Sequence, residues 1–115
     1  MKENLIQQKT YDFALKIINT SRQMNKNKEF VLSRQLLKSG TSIGANVEEA
    51  IGGHSKKDFL AKMIISYKEA RETKYWLRLL EKSKLVNIDY RNYLKEIDSI
   101  INILTAIIKT SKQNQ

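Results

Sequence analysis

Between Leu32 and Gly53 two periodicities run side by side. Leu32, Leu36, Gly40, Ile43, Val47 and Ala50 recur at steps of three and four, and so do Gln35, Ser39, Ser42, Asn46, Glu49 and Gly53. On a helix turning about 100° per residue, this sets an apolar stripe beside a stripe of small and polar residues. An exposed face in a basic protein normally carries Lys, Arg and Glu. Here it carries serines, an asparagine and a glutamine, with one carboxylate. Small residues let a second backbone approach, and their amides and hydroxyls can pair across the contact. The pattern predicts a polar seam against a neighbouring helix.

The same periodicity predicts three more helices. The first covers roughly Glu3 to Met24, with Ile6, Phe13, Ile17, Thr20 and Met24 on one face and Leu5, Ala14, Ile18 and Ser21 widening it. The second covers roughly Lys28 to Ile51, after a polar connection in which Asn27 is a candidate N-cap. Paired glycines at Gly52 and Gly53 break it, and Ser55 with Asp58 three residues on reads as the cap of a third helix, roughly Lys56 to Ser83. That helix has a seam of Phe59, Met63, Ser66, Ala70, Thr73, Leu77 and Leu80 at alternating four- and three-residue steps. Asn87 is a candidate cap for the fourth, roughly residues 88 to 111, which carries Leu94, Ile97, Ile101, Leu104 and Ile108 with Tyr90, Tyr93, Ile100 and Ile107 beside them. Short connections make an antiparallel up-down-up-down four-helix bundle the economical all-α architecture. A single domain over residues 1–115 is expected at this length.

Composition narrows the picture. There is no proline, and all four glycines fall between Gly40 and Gly53, against the recurrent turn signals of an all-β fold. With no cysteine, a disulfide scaffold, a thiolate metal site and a cysteine nucleophile are excluded. The N-terminal stretch breaks its apolar residues with Glu, Asn, Gln and Lys before a signal-peptide core can form, and no apolar run approaches the roughly 20 residues of a membrane span. A cytoplasmic protein without a membrane partner is expected.

The string Gln35-Leu36, Ser42-Ile43, Asn46-Val47-Glu48-Glu49-Ala50, then Ser55, Phe59 and Lys68-Glu69-Ala70-Arg71-Glu72-Thr73 ending in Trp76-Leu77 resembles the four-helix bundle family of 23S rRNA intervening-sequence proteins, which includes accessory proteins of diversity-generating retroelements. The resemblance covers essentially the whole chain, and its specific part is helices two and three. It implies an antiparallel bundle assembled as a ring-shaped homopentamer. For retroelement members it implies nucleic-acid binding and partnership with a reverse transcriptase. One departure is that Asn25-Lys26-Asn27 stands where a proline often precedes helix two.

Charge suggests a partner. Lys and Arg outnumber Asp and Glu by 21 to 12. Residues 28–54 are neutral, and each of the other three segments, 1–27, 55–81 and 82–115, carries three net positive charges. On the third helix Lys56, Lys57, Lys68, Arg71, Lys74, Arg78 and Lys82 fall within an arc of roughly 120°, together with Tyr67 and Tyr75. Cations with interleaved aromatics can hold a phosphate backbone and stack on exposed bases. Leu60 and Ile64 share the arc, so a solvated or partly buried face is the competing reading. The lysines of helix one, Lys2, Lys9 and Lys16, add to the positive surface.

Catalytic and metal chemistry find no foothold. His54 is the single histidine, in the glycine loop, with no Arg four to six residues before it as in HEPN-type helical ribonucleases. No Glu precedes it at the Glu-x-x-His spacing of bundle di-iron sites. Ser39, Ser42 and Ser55 have no base and orienting acid. Gly40-x-x-x-Gly44 is not followed by lysine and is no phosphate loop. Glu48, Glu49, Glu69 and Glu72 have simpler partners in Arg71, Lys74 and Asn46 than a metal. The polar seam is expected to gather Gln35, Ser39, Ser42, Asn46 and Glu49 of helix two with Ser66, Glu69, Glu72 and Thr73 of helix three. The sequence predicts a non-enzymatic, cofactor-free, oligomeric bundle that binds RNA or DNA through the basic face of helix three. The other reading is a scaffold docking a protein such as a reverse transcriptase or a ribosomal component.

Overall fold

The computed structural model describes residues 2–114, with side chains from residue 4 onward. Among these residues the chain forms four helices and no strand: α1 (Lys2–Lys26), α2 (Val31–Ile51), α3 (Lys56–Ser83) and α4 (Arg91–Gln113). Consecutive helices pack on one another and α4 closes back on α1, the loosest of the four contacts. The bundle measures 47 × 20 × 19 Å. Its long axis matches the 28 residues of α3, about 42 Å at 1.5 Å per residue.

The apolar periods become the core. Ile6, Phe13, Ile17 and Met24 of α1, Leu36, Ile43 and Val47 of α2, Met63, Leu77 and Leu80 of α3, and Ile97, Ile100 and Leu104 of α4 are essentially inaccessible to solvent. In α4 the buried seam is Ile97, Ile100, Leu104 and Ile107: Ile97 and Leu104 come from the main stripe of the sequence pattern, Ile100 and Ile107 from the positions beside it. Leu94, Ile101 and Ile108 are half-buried and pack against the core from one flank. An apolar arc this wide covers two neighbours, so its centre is set by where α1 and α3 sit.

Glycine sets the spacing of α1 and α2. A Cβ on Gly40 would stand 2.8 Å from Ile17 Cγ2, and one on Gly44 would stand 3.2 Å from Thr10 Oγ1. Beyond these close approaches the Ser21 and Ser33 hydroxyls pair at 2.6 Å, both buried. Small residues on both helices bring the backbones together here.

The connections differ from expectation in three places. Asn27 does not cap α2. Its side chain donates back to the Gln23 carbonyl at 2.8 Å, Lys28 takes the left-handed conformation at φ 62°, and Glu29 N–H donates to the Met24 carbonyl at 2.9 Å. These bonds prolong and close α1, so α2 begins at Val31; its cap position is Phe30, which offers no side-chain acceptor, and Glu29 Oε2, one residue before it, accepts from Leu32 N–H at 3.1 Å instead. Asn87 likewise gives way to Asp89, whose Oδ1 accepts from Arg91 N–H at 3.1 Å, so α4 starts three residues later than the pattern suggested. The glycine pair ends α2 without a positive φ; that conformation falls instead to Lys28 and Lys84. Ser55 caps α3, its Oγ accepting from Asp58 N–H at 3.0 Å.

Candidate nucleic-acid interface

Apart from Lys62, which pairs with Glu49 of α2, the cationic residues of α3 lie on the flank that faces α4 and on the adjoining solvent face. Lys56 and Lys57 sit exposed in the first turn, and Lys68, Arg71, Arg78 and Lys82 are exposed along the helix. Lys74 is half-buried, its Nζ 2.7 Å from Asp98 Oδ1 of α4. That pairing removes one cation from the strip. Leu60 is buried and Ile64 half-buried, so the strip is interrupted by core-facing positions near its start.

The two tyrosines differ. Tyr67 is half-buried, its hydroxyl accepts from Arg71 Nη1 at 2.9 Å, and the guanidinium carbon stands 5.8 Å from its ring centroid. Tyr75 is exposed and meets Trp76 edge-on, with centroids 5.2 Å apart. Trp76 points toward α2's side and donates to Glu72 Oε2 at 3.1 Å. Glu69 shares that side: partial burial raises its carboxyl above the usual range, the neighbouring Glu72 adds to this, and Lys38 of α2 opposes it. Glu69 and Glu72 therefore do not neutralise the flank toward α4, and Glu81 meets that flank only near Arg91 at the start of α4.

Where α3 and α4 part, a groove of about 410 Å³ opens. Ile64, Tyr67 and Ile108 give it an apolar lining. Lys68 stands on the α3 side, with Lys109 and Lys112 on the α4 side beside Thr105. Among the described residues none of these three lysines is paired with a carboxylate. Lys109 and Lys112 escaped the reading of α3 alone, yet a signal existed: from Ser99 to the end the sequence has two lysines and no acid. Antiparallel packing lays that segment along the first half of α3.

The polar seam resolves into separate links. Thr73 and Ser39 bring their hydroxyl oxygens to 2.9 Å across the α2–α3 contact, and Ser66 donates to the Ile43 carbonyl at 2.8 Å. All three side chains are buried. Asn46 donates within its own helix to Ser42 O at 2.8 Å, and Ser42 to Lys38 O at 2.6 Å. Glu49 reaches α3 only at the surface, accepting from Lys62 Nζ at 2.8 Å. Gln35 and Glu72 are exposed. The expected side-chain cluster of Asn46, Glu49 and Glu69 is not brought together: Asn46 is taken up within α2 and Glu49 by Lys62 at the surface.

No three His, Asp or Glu side chains among the described residues gather to hold a metal, and no described helix is long and apolar enough to cross a membrane. His54 is exposed in the loop before α3.

The family model for 23S rRNA-intervening sequence proteins matches residues 2–106. The chain belongs to that family. The fold agrees with a crystal structure of a protein of unknown function from the S23 ribosomal protein family of Bacteroides thetaiotaomicron, which is 42% identical and superimposes with a TM-score of 0.89 over 95% of this chain and 99% of that one. No curated protein matches the chain. Membership in the 23S rRNA-intervening sequence family thus establishes the bundle, and the chemistry of its surface has to be read from the residues.

Proposed function

We propose that this protein is a non-enzymatic, homo-oligomeric four-helix bundle that binds RNA or DNA through the flank formed by α3 and α4. The observation that carries the reading is the set of unpaired cations on both sides of that flank: Lys68, Arg71 and Arg78 from α3 with Lys109 and Lys112 from α4. Their summed field attracts a phosphate backbone and implies sequence-tolerant, salt-sensitive binding.

Assembly has its own support. Tyr11, Leu15 and Ile18 form an exposed apolar stripe along α1, at 60%, 52% and 38% exposure. Beside it the small residues Ala14, Thr41, Gly44 and Ala45 border a shallow depression between α1 and α2. A contiguous apolar surface of this kind suits a second copy of the chain, and the ring-shaped pentamer is the assembly that the family resemblance implies.

Fluorescence anisotropy with short labelled RNA and DNA over a salt series, combined with light scattering on the same sample, tests both statements. Micromolar or tighter binding with a steep salt slope, weakened by Lys68→Ala, Arg71→Ala and Arg78→Ala together, is the expected result. So is a mass near five times the 13.4 kDa of one chain. Absence of binding at low salt overturns the nucleic-acid reading and favours a protein partner for the basic surface.

A further inference from the structure

We propose that the groove between α3 and α4 receives an unpaired base, so that the nucleic acid this protein holds is single-stranded. The inference rests on the nucleic-acid reading above and adds the form of the ligand. It comes from the arrangement of charge around apolar surface. A site that only held a phosphate backbone needs cations on a polar, solvated face. Here the space between the cations is lined by Ile64, Ile108 and the ring of Tyr67, surface that water solvates poorly and a base would cover.

Two pairs of cations flank that surface at helical spacing. Lys68 and Arg71 are three residues apart on α3, Lys109 and Lys112 three apart on α4, and such neighbours stand about 5–6 Å apart at Cβ. A strand crossing from one helix to the other sets phosphates against both pairs and leaves the intervening base over the groove. The groove's volume of about 410 Å³ falls within the range of small-ligand sites, which is roughly 300–1,000 Å³. Stacking on Tyr67 needs no base-specific contact, because every base offers a π-face. The Arg71 guanidinium, held on the Tyr67 hydroxyl at 2.9 Å, keeps that ring in one orientation.

Charge decides the occupant. The groove's lining contains three lysines and no carboxylate, which excludes an acidic floor that would repel phosphate. An apolar peptide would strand the lysines without partners, whereas a polyanion with one apolar face satisfies rim and floor together. In a duplex the bases are stacked and paired, so only phosphates would reach the rims and the floor would stay wet.

The test uses labelled single strands of RNA and DNA, and duplexes of the same phosphate count, titrated by anisotropy at one salt concentration. Stacking of one base is worth about 1–3 kcal/mol, so single strands should bind about fivefold tighter or more. Thr105→Leu fills the groove from an exposed helical position without changing charge, and should remove that preference while leaving duplex binding unchanged. Tyr67→Leu should do the same, with circular dichroism confirming the fold. Equal affinity for single strand and duplex, both weakened by Lys68→Glu with Lys112→Glu, overturns the base site and leaves the basic surface standing. Failure of every probe to bind overturns the nucleic-acid reading along with it.

Discussion

The Thr73 and Ser39 hydroxyls lie 2.9 Å apart in the buried contact between α2 and α3, and Thr73 also reaches the Glu69 carbonyl of its own helix at 2.8 Å. A threonine in a core seam would ordinarily be a liability, since a buried hydroxyl without a partner costs about 1–3 kcal/mol. Here each hydroxyl answers the other, and both are small enough to keep the backbones close. Thr73→Val keeps the shape and leaves Ser39 with only a long 3.5 Å reach to the Leu36 carbonyl. It should lower stability by about 1–2 kcal/mol in urea denaturation. Adding Ser39→Ala should cost less than the sum of the single changes, because the orphan is removed with its partner. Strict additivity would show that the pair contributes nothing as a pair.

Gly40 is held against Ile17. Alanine is the better helix former by about 1 kcal/mol, so on propensity alone Gly40→Ala would stabilise α2. The added methyl would stand 2.8 Å from a branched, fully buried side chain, and overpacking of that kind costs about 1–3 kcal/mol. The clash should win, with a lower urea midpoint for Gly40→Ala. Gly44→Ala meets a 3.2 Å contact with Thr10 Oγ1 that a small shift relieves, and it should be near neutral. If Gly40→Ala proves as stable as the parent, α1 and α2 are not packed this closely.

The seam of α3 was legible from its second position on, where Met63, Ser66, Ala70, Thr73, Leu77 and Leu80 are all buried; at its start Phe59 is half-buried and Leu60 takes the buried place. Helix ends were less so. Lys28 in a left-handed conformation closes α1, and nothing about a lysine announces it in a sequence where glycine pairs mark another break. At the candidate site, the cations of α3 could be read from one helix. The loss of Lys74 to Asp98 and the gain of Lys109 and Lys112 could not, because both depend on which turn of α4 lies beside which turn of α3. Pattern carries the face of a helix, and the neighbour of that face is a tertiary fact.

Lys28 and Lys84 hold φ values of 62° and 57° and both are exposed. The left-handed region strains any side chain with a Cβ by about 1 kcal/mol or more. Glycine relieves that strain while adding freedom to the unfolded chain. Lys84→Gly should therefore raise stability by about 0.5–1 kcal/mol and the melting temperature with it. A decrease would mean that the lysine side chain contributes more to the α3–α4 connection than its backbone loses.

Glu69 supplies a pH dependence. Its folded carboxyl is raised above the ordinary 4.5 by partial burial first and by Glu72 second. The folded state therefore favours the protonated acid more than the unfolded chain does. Stability from this group is greatest below its unfolded value and falls as pH rises through the window just above 4.5, remaining lower at neutrality. Glu69→Gln removes the titration. The variant should melt higher than the parent at about pH 7, and the difference should vanish at about pH 3.5. A gap that is equal at both pH values would assign the effect to packing.

Asp98 holds Lys74 at 2.7 Å on the flank where binding is proposed. The two residues make opposite predictions from one contact. Asp98→Asn releases Lys74 toward a phosphate and removes a repelling charge, so affinity for single-stranded nucleic acid should rise and the salt slope should steepen by about 0.7. Lys74→Ala leaves Asp98 uncompensated, so affinity should fall without the slope losing a full contact, since Lys74 was already occupied. Lys68→Ala, which removes an unpaired cation, should lower the slope by about 0.7. These three variants, titrated from low to moderate salt by anisotropy, separate cations that meet phosphate from cations that merely share the helix. If Asp98→Asn leaves both affinity and slope unchanged, the α3–α4 flank is not where the nucleic acid lies.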